Sequence, residues 1–277
     1  MPDDTVPDAY ALDADLPEAY PAGADLATVS PAALFDLALW QHRELFASCT
    51  FAWQALRRLP EYLQSILRPG IRGEVEPGAY VVGDVEIAEG ARVEAGAYIR
   101  GPALIGPGTE VRQGAYIRGN VLAGADCVIG HASECKSAVL LDRAKAPHFA
   151  YVGDSILGAD VNLGAGVRLA NLKMVAGPVT VRLADGSRID TGMPKLGALV
   201  GDRTKIGCNA VTSPGTVIGP DCIIYASVSV QGYVPPRSIA AWRPELSIRA
   251  RQGDPPSASS AVAAPAHTRD SEPRLSR

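Results

Sequence analysis

From Val75 onward an apolar or small residue returns every six positions. Val75, Val81, Ile87, Val93, Ile99, Ile105, Val111, Ile117, Ala123, Ile129, Cys135 and Leu141 are twelve consecutive hits. Leu157, Leu163 and Leu169, then Val200, Ile206, Thr212, Ile218, Ile224 and Val230, resume the count after two lapses. Neither the 3.6-residue period of a helix nor the alternation of an isolated strand generates this spacing. Six residues make one short strand and one tight turn, and three such units close a triangular coil. Inward aliphatic residues then stack coil upon coil in a parallel β-helix. The twenty-one hexads predict about seven coils, a prism on the order of 30 Å tall at the usual strand spacing. The lapses predict two surface loops, near residues 142–154 and 171–197, of the kind that forms binding faces in repeat proteins.

Before the ladder the period is helical. Ser30 suits an N-cap and Pro31 the first helical position, and Leu34, Leu37, Ala38 and Leu45 recur at helical spacing. A helical segment is expected over residues 30–70, broken near Pro60, which suits the first turn of a second short helix, and ended by Arg68-Pro69-Gly70. Beyond Pro235 and Pro236, residues 237–251 are expected to cap the open end of the prism, where strand edges need cover. Residues 252–277 read as a disordered tail and residues 1–29 as a flexible acidic stretch without the basic and apolar regions of a leader. The fold class expected is all-β, a β-helix over residues 71–236 with an N-terminal helical segment.

Composition narrows the function. A formal net charge of −4, with basic residues scattered, argues against a nucleic-acid partner. Only 6% of residues are aromatic, which stacked aliphatic ladders make sufficient. Cys49, Cys127, Cys135, Cys208 and Cys222 are odd in number and lack ligand spacing, so reduced thiols in a cytoplasmic protein are expected rather than disulfides or zinc. No apolar run reaches membrane length. A zinc hydratase built on the same prism would need three histidine ligands. His42 lies in the helical segment and His267 in the tail, which leaves only His131 and His148.

Arg118 and Lys136 are eighteen residues apart, one full coil, which stacks them on one face. A bidentate guanidinium beside a point-charge ammonium suits a phosphate. Residues 130–173, GHASECKSAVLLDRAKAPHFAYVGDSILGADVNLGAGVRLANLK, resemble the left-handed β-helix acetyltransferase domain of the bifunctional glucosamine-1-phosphate N-acetyltransferase/UDP-N-acetylglucosamine pyrophosphorylases. Residues 188–210, RIDTGMPKLGALVGDRTKIGCNA, are similar to the archaeal-type members of that sugar-1-phosphate nucleotidylyltransferase/acetyltransferase family. The resemblance covers roughly residues 75–235. It implies a left-handed coil and a homotrimer with sites between subunits. It makes His148 of the HxxY motif the general base, a task for which imidazole is suited near neutral pH. It implies that Tyr151 binds sugar phosphate or supports His148, that Arg118 and Lys136 bind the phosphate, and that Asn162 and Asn171 contact the sugar. Acetyl-CoA, the co-substrate, would lie along Gly164, Ala165, Cys208 and Ala226, with no metal required.

Archaeal-type relatives place two lysines in the loop after Asn171; here Gly177 and Thr180 stand there, with Lys173 and Lys195 in the same stretch. Residues 1–70 are too short for the family's α/β nucleotidylyltransferase domain and carry no glycine-rich loop. The function expected is therefore acetyl-CoA-dependent N-acetylation of an amino-sugar 1-phosphate such as glucosamine-1-phosphate. The alternative is a non-catalytic sugar-phosphate or nucleotide-sugar binding or assembly subunit on the same fold.

Overall fold

The hexad ladder closes into three parallel sheets in a computed structural model that describes residues 25–242. These residues all belong to one compact unit. The expected tail over 252–277, most of the expected flexible stretch over 1–29 and most of the expected cap over 237–251 lie outside the described residues. The first sheet runs in nine strands from Gly70–Ile71 to Tyr233–Val234, the second in nine from Glu74–Val75 to Ile239–Ala240, and the third in eight from Tyr80–Val82 to Ser229–Val230. Each strand pairs with the strand one coil away, as in Tyr80 with Tyr98 and Tyr98 with Tyr116. The protein is a left-handed parallel β-helix with an N-terminal helical segment. It makes eight complete coils plus two strands rather than about seven, roughly 38 Å from end to end.

The difference in count comes from the first lapse. Residues 142–154 are not a loop: Lys145–His148 and Tyr151–Gly153 are ordinary strands of the second and third sheets. The coils merely shorten from eighteen residues to seventeen. Ile117 pairs with Cys135, but Cys135 pairs with Val152 and Leu140 with Leu157. A shift of one residue turns every side chain over, so Leu140 fills the interior while Leu141 faces outward into a second core. Close stacking in these coils is steric as well as register-bound. A Cβ on Gly130 would sit 1.8 Å from the carbonyl oxygen of Pro147, so only glycine lets these coils meet.

The second lapse is a true insertion. Residues 171–197 leave the prism after the third sheet, form an antiparallel hairpin of Thr180–Arg182 with Arg188–Asp190, and rejoin at the first sheet. Val181 and Ile189 face inward on this hairpin and Met193 and Leu196 follow them.

Two cores result. One is the prism interior, built from the ladder residues themselves. The other covers the outer side of the first sheet, where Leu104, Leu122, Val139, Ile156, Leu199 and Val217 meet the N-terminal segment and the hairpin. The first sheet is thus buried on both faces, as parallel sheets usually are.

The N-terminal segment is less helical than expected. Ser30 caps a single turn, Pro31–Leu34, with its hydroxyl accepting from the Ala33 amide at 3.3 Å. The helix stops there because the prism takes over its hydrogen bonds. The Asp202 amide donates to the Leu34 carbonyl at 3.0 Å, and the Asp202 carboxylate accepts from the Asp36 amide at 2.7 Å. The expected break at Pro60 is absent. Gln54–Ile66 is one helix with Pro60 inside it. Burial of Leu56, Leu59 and Leu63, about 2 kcal/mol each, outweighs the roughly 3 kcal/mol cost of an interior proline.

Candidate functional site

With the first sheet covered, the open faces of the prism are the second and the third, with the edge between them. His148 ends its second-sheet strand on that edge and is exposed. It pairs with His131 one coil below. His131 donates from Nδ1 to the Gln113 carbonyl at 2.9 Å and packs edge-on against Phe149, with ring centroids 5.2 Å apart. Among the described residues the His148 ring has no hydrogen-bond partner.

A ladder of main-chain hydrogen bonds climbs this edge. The Gly166 amide donates to the His148 carbonyl at 3.0 Å, Asn209 to Ala165 at 2.8 Å and Ser227 to Cys208 at 2.9 Å. His148, Ala165, Cys208 and Ala226 therefore occupy equivalent corners of successive coils, about 4.8 Å apart. Gly164 makes this stacking possible, since a Cβ there would lie 2.6 Å from the Cys208 nitrogen. On the lower coils the equivalent amides are capped by carboxylates, Ala95 by Glu76 at 3.0 Å and Gln113 by Glu94 at 2.8 Å. Above His148 no side chain does this. The amides of Ala165, Cys208 and Ala226 have no hydrogen-bond partner among the described residues. The structure thus places His148, Gly164, Ala165, Cys208 and Ala226 along one edge.

The third face holds a second group. Arg118 and Lys136 do occupy one register position on neighbouring coils, but they do not form an open cationic pair. Arg118 donates to Glu134 at 2.8 Å, and Lys136 lies 3.4 Å from the fully buried carboxylate of Asp154. Asn171 donates to the other oxygen of Asp154, and the Tyr151 hydroxyl lies against the Asn171 amide. Burial, then the charges of Asp154 and Glu134, push the Tyr151 phenol up and keep it protonated. Tyr151 therefore joins the third-face network rather than supporting His148.

Asn162 belongs to neither group. It sits on the second face between Lys145 and Lys205 of adjacent coils. In the inserted loop, the Lys173 ammonium donates to the Pro178 carbonyl at 2.6 Å, and Lys195 bridges back to Leu172. The partners that sequence reasoning missed, Glu134 and Asp154, carry a readable signal. Asp154 stands eighteen residues after Lys136 and Glu134 sixteen after Arg118, each close to one coil.

Residues 99–191 match the family described as the GMPPB C-terminal domain. The bifunctional protein GlmU of Methanococcus vannielii is 37% identical over 199 residues, which are 72% of this chain and 47% of that protein. Over that stretch this chain is similar to the bifunctional protein. The bifunctional sugar-1-phosphate nucleotidylyltransferase/acetyltransferase of Sulfurisphaera tokodaii is 41% identical over 102 residues, 37% of this chain and 25% of that protein. The chain spans about half the length of the first of these relatives and a quarter of the second. Among solved structures, a UDP-N-acetylglucosamine acyltransferase of Francisella novicida aligns with a TM-score of 0.42 at 15% identity, covering 64% of this chain and 66% of that one.

Proposed function

We propose that this protein is an acyltransferase that moves an acetyl group from acetyl-CoA to the amine of an amino-sugar phosphate, glucosamine-1-phosphate being the first substrate to test. The observation that carries the reading is the line of uncapped amides on Ala165, Cys208 and Ala226 directly above an exposed, unpartnered His148. An acyl donor rich in carbonyl groups can be held along such a line, and the names of the relatives support the same chemistry.

In this reaction the sugar nitrogen attacks the thioester carbonyl carbon. The new N–C bond forms as the C–S bond breaks, and His148 takes the proton released by nitrogen and delivers it to the departing thiolate. The products are an amide and free CoA thiol. A groove between prisms needs a second copy, so the reading includes a homotrimer with sites between subunits. Five free cysteines fit a cytoplasmic location. Thiol release from acetyl-CoA with a panel of amino-sugar phosphates tests it. His148→Ala is expected to lower kcat by about 10²- to 10⁴-fold. Calorimetry that detects sugar phosphate but no acetyl-CoA would instead support the non-catalytic binding subunit.

A further inference from the structure

The inserted hairpin carries chemistry that acyl transfer at the His148 edge does not use. A cavity of about 420 Å³ opens between the hairpin, the start of the insertion and the turns that join the third sheet to the first. Its donors are Lys173, Thr180, Arg182, Arg188, Ser213 and Gln231, and no carboxylate lines it. Arg182 and Arg188 stand directly opposite each other in the antiparallel register. Like charges so placed repel. Elsewhere on this protein several exposed arginines have carboxylate partners, Arg72 with Glu86, Arg143 with Asp160 and Arg203 with Asp221, while Arg100 and Arg237 have none within 4.0 Å among the described residues. Among the described residues Lys173, Arg182 and Arg188 have no carboxylate within 4.0 Å. The inward residues Val181 and Ile189 anchor the hairpin in the second core, so both arginines project from a fixed support. The Pro178 carbonyl holds Lys173 from one side. Three uncompensated cations thus converge on a cavity in a chain whose net charge is −4.

We infer that this cavity binds the phosphoryl group of a small phosphorylated molecule, with Arg182 and Arg188 gripping its oxygens as forks, Lys173 as a point charge, and Ser213 and Gln231 completing the hydrogen bonds. Planar guanidinium forks match phosphate oxygens in pairs. The volume falls within the range of small-ligand pockets, and a half-open recess of that size suits a compact anion. The site lies at the corner between the third and first sheets, whereas His148 lies between the second and third. The inference goes beyond the acyl-transfer reading and does not depend on it.

Titration calorimetry of the full chain at low salt, with inorganic pyrophosphate, ADP and glucose 1-phosphate as separate probes, tests the site and distinguishes a free, a nucleotide and a sugar source of the phosphoryl group. At least one probe is expected to bind. The Arg182→Gln/Arg188→Gln double variant is expected to weaken binding by about tenfold or more. Lys173→Gln, which leaves the hairpin untouched, is expected to weaken it as well, and Arg203→Gln to leave it unchanged. Added salt should lower the affinity. Absence of binding by all three probes overturns the inference. So does equal affinity in the folded double variant, loss caused by Arg118→Gln alone, or a response to duplex DNA without one to the small probes.

Discussion

An imidazole on an open edge is useful only for what lies in line with it, and three uncapped amides lie in line with His148. Cys208 reports on that line directly, because its thiol is exposed there, while Cys127 and Cys135 are buried and pushed up to about 12 by the loss of solvation. A thiol reagent is expected to modify Cys208 fast in the native protein and Cys127 and Cys135 only on unfolding. Saturating acetyl-CoA is expected to slow Cys208 modification at least severalfold, read by mass spectrometry of the labelled peptide. Unchanged labelling would remove the co-substrate from this edge. The edge residues were named through the resemblance, and the main-chain ladder shows only that they line up. The pairing of Arg118 and Lys136 was not legible to the same degree. Two cations one coil apart suggest a phosphate, and the carboxylates of Glu134 and Asp154, each close to one coil from its cation, already occupy them.

Elements were legible wherever their period stayed constant. Hexads predict strands and corners throughout, but a one-residue shortening after Lys136 and another after Gly153 imitate a loop, because sequence counting sees only the lost phase. The helix through Pro60 was hidden for a different reason. Local propensity opposes it, and the leucines that stabilise it meet partners from the distant first sheet and hairpin. At Thr212 the ladder itself is imperfect. Its buried hydroxyl has no hydrogen-bond partner, and an unsatisfied buried group costs about 1–3 kcal/mol. Thr212→Val is expected to raise stability by about 1 kcal/mol in denaturant unfolding. His42 gives the N-terminal element a pH dependence. Burial, larger than the opposing charges of Asp142 and Glu86, lowers its pKa, and its Nδ1 lies 3.2 Å from the Tyr62 hydroxyl. The unfolded chain therefore takes up this proton more readily than the folded one. Its contribution is present above the unfolded value of about 6.5 and is lost as pH falls through the lower folded value. Melting temperature is expected to decline below pH 6.5, and less steeply in His42→Asn.

At the scale of the molecule, the covered first sheet decides which surfaces remain for assembly. Tyr80, Tyr98 and Tyr116 form an exposed aromatic column on the third face, with successive ring centroids 6.2 and 5.6 Å apart. Aromatic surface of this kind favours association. Light scattering coupled to size exclusion is expected to give three times the 28.9 kDa chain mass, and a monomer would remove the shared groove from the proposed function. The hydrogen-bond ladder that carries His148, Ala165, Cys208 and Ala226 also acts as a ruler. Distances along it come only in whole coils of about 4.8 Å, so the span between the His148 corner and the uppermost amide is about 14 Å. Gaining or losing a coil would change that reach by one fixed step and leave the interior stacking intact. If the edge holds an acyl donor as proposed, donors of different length are accommodated by counting coils, without redesigning the core.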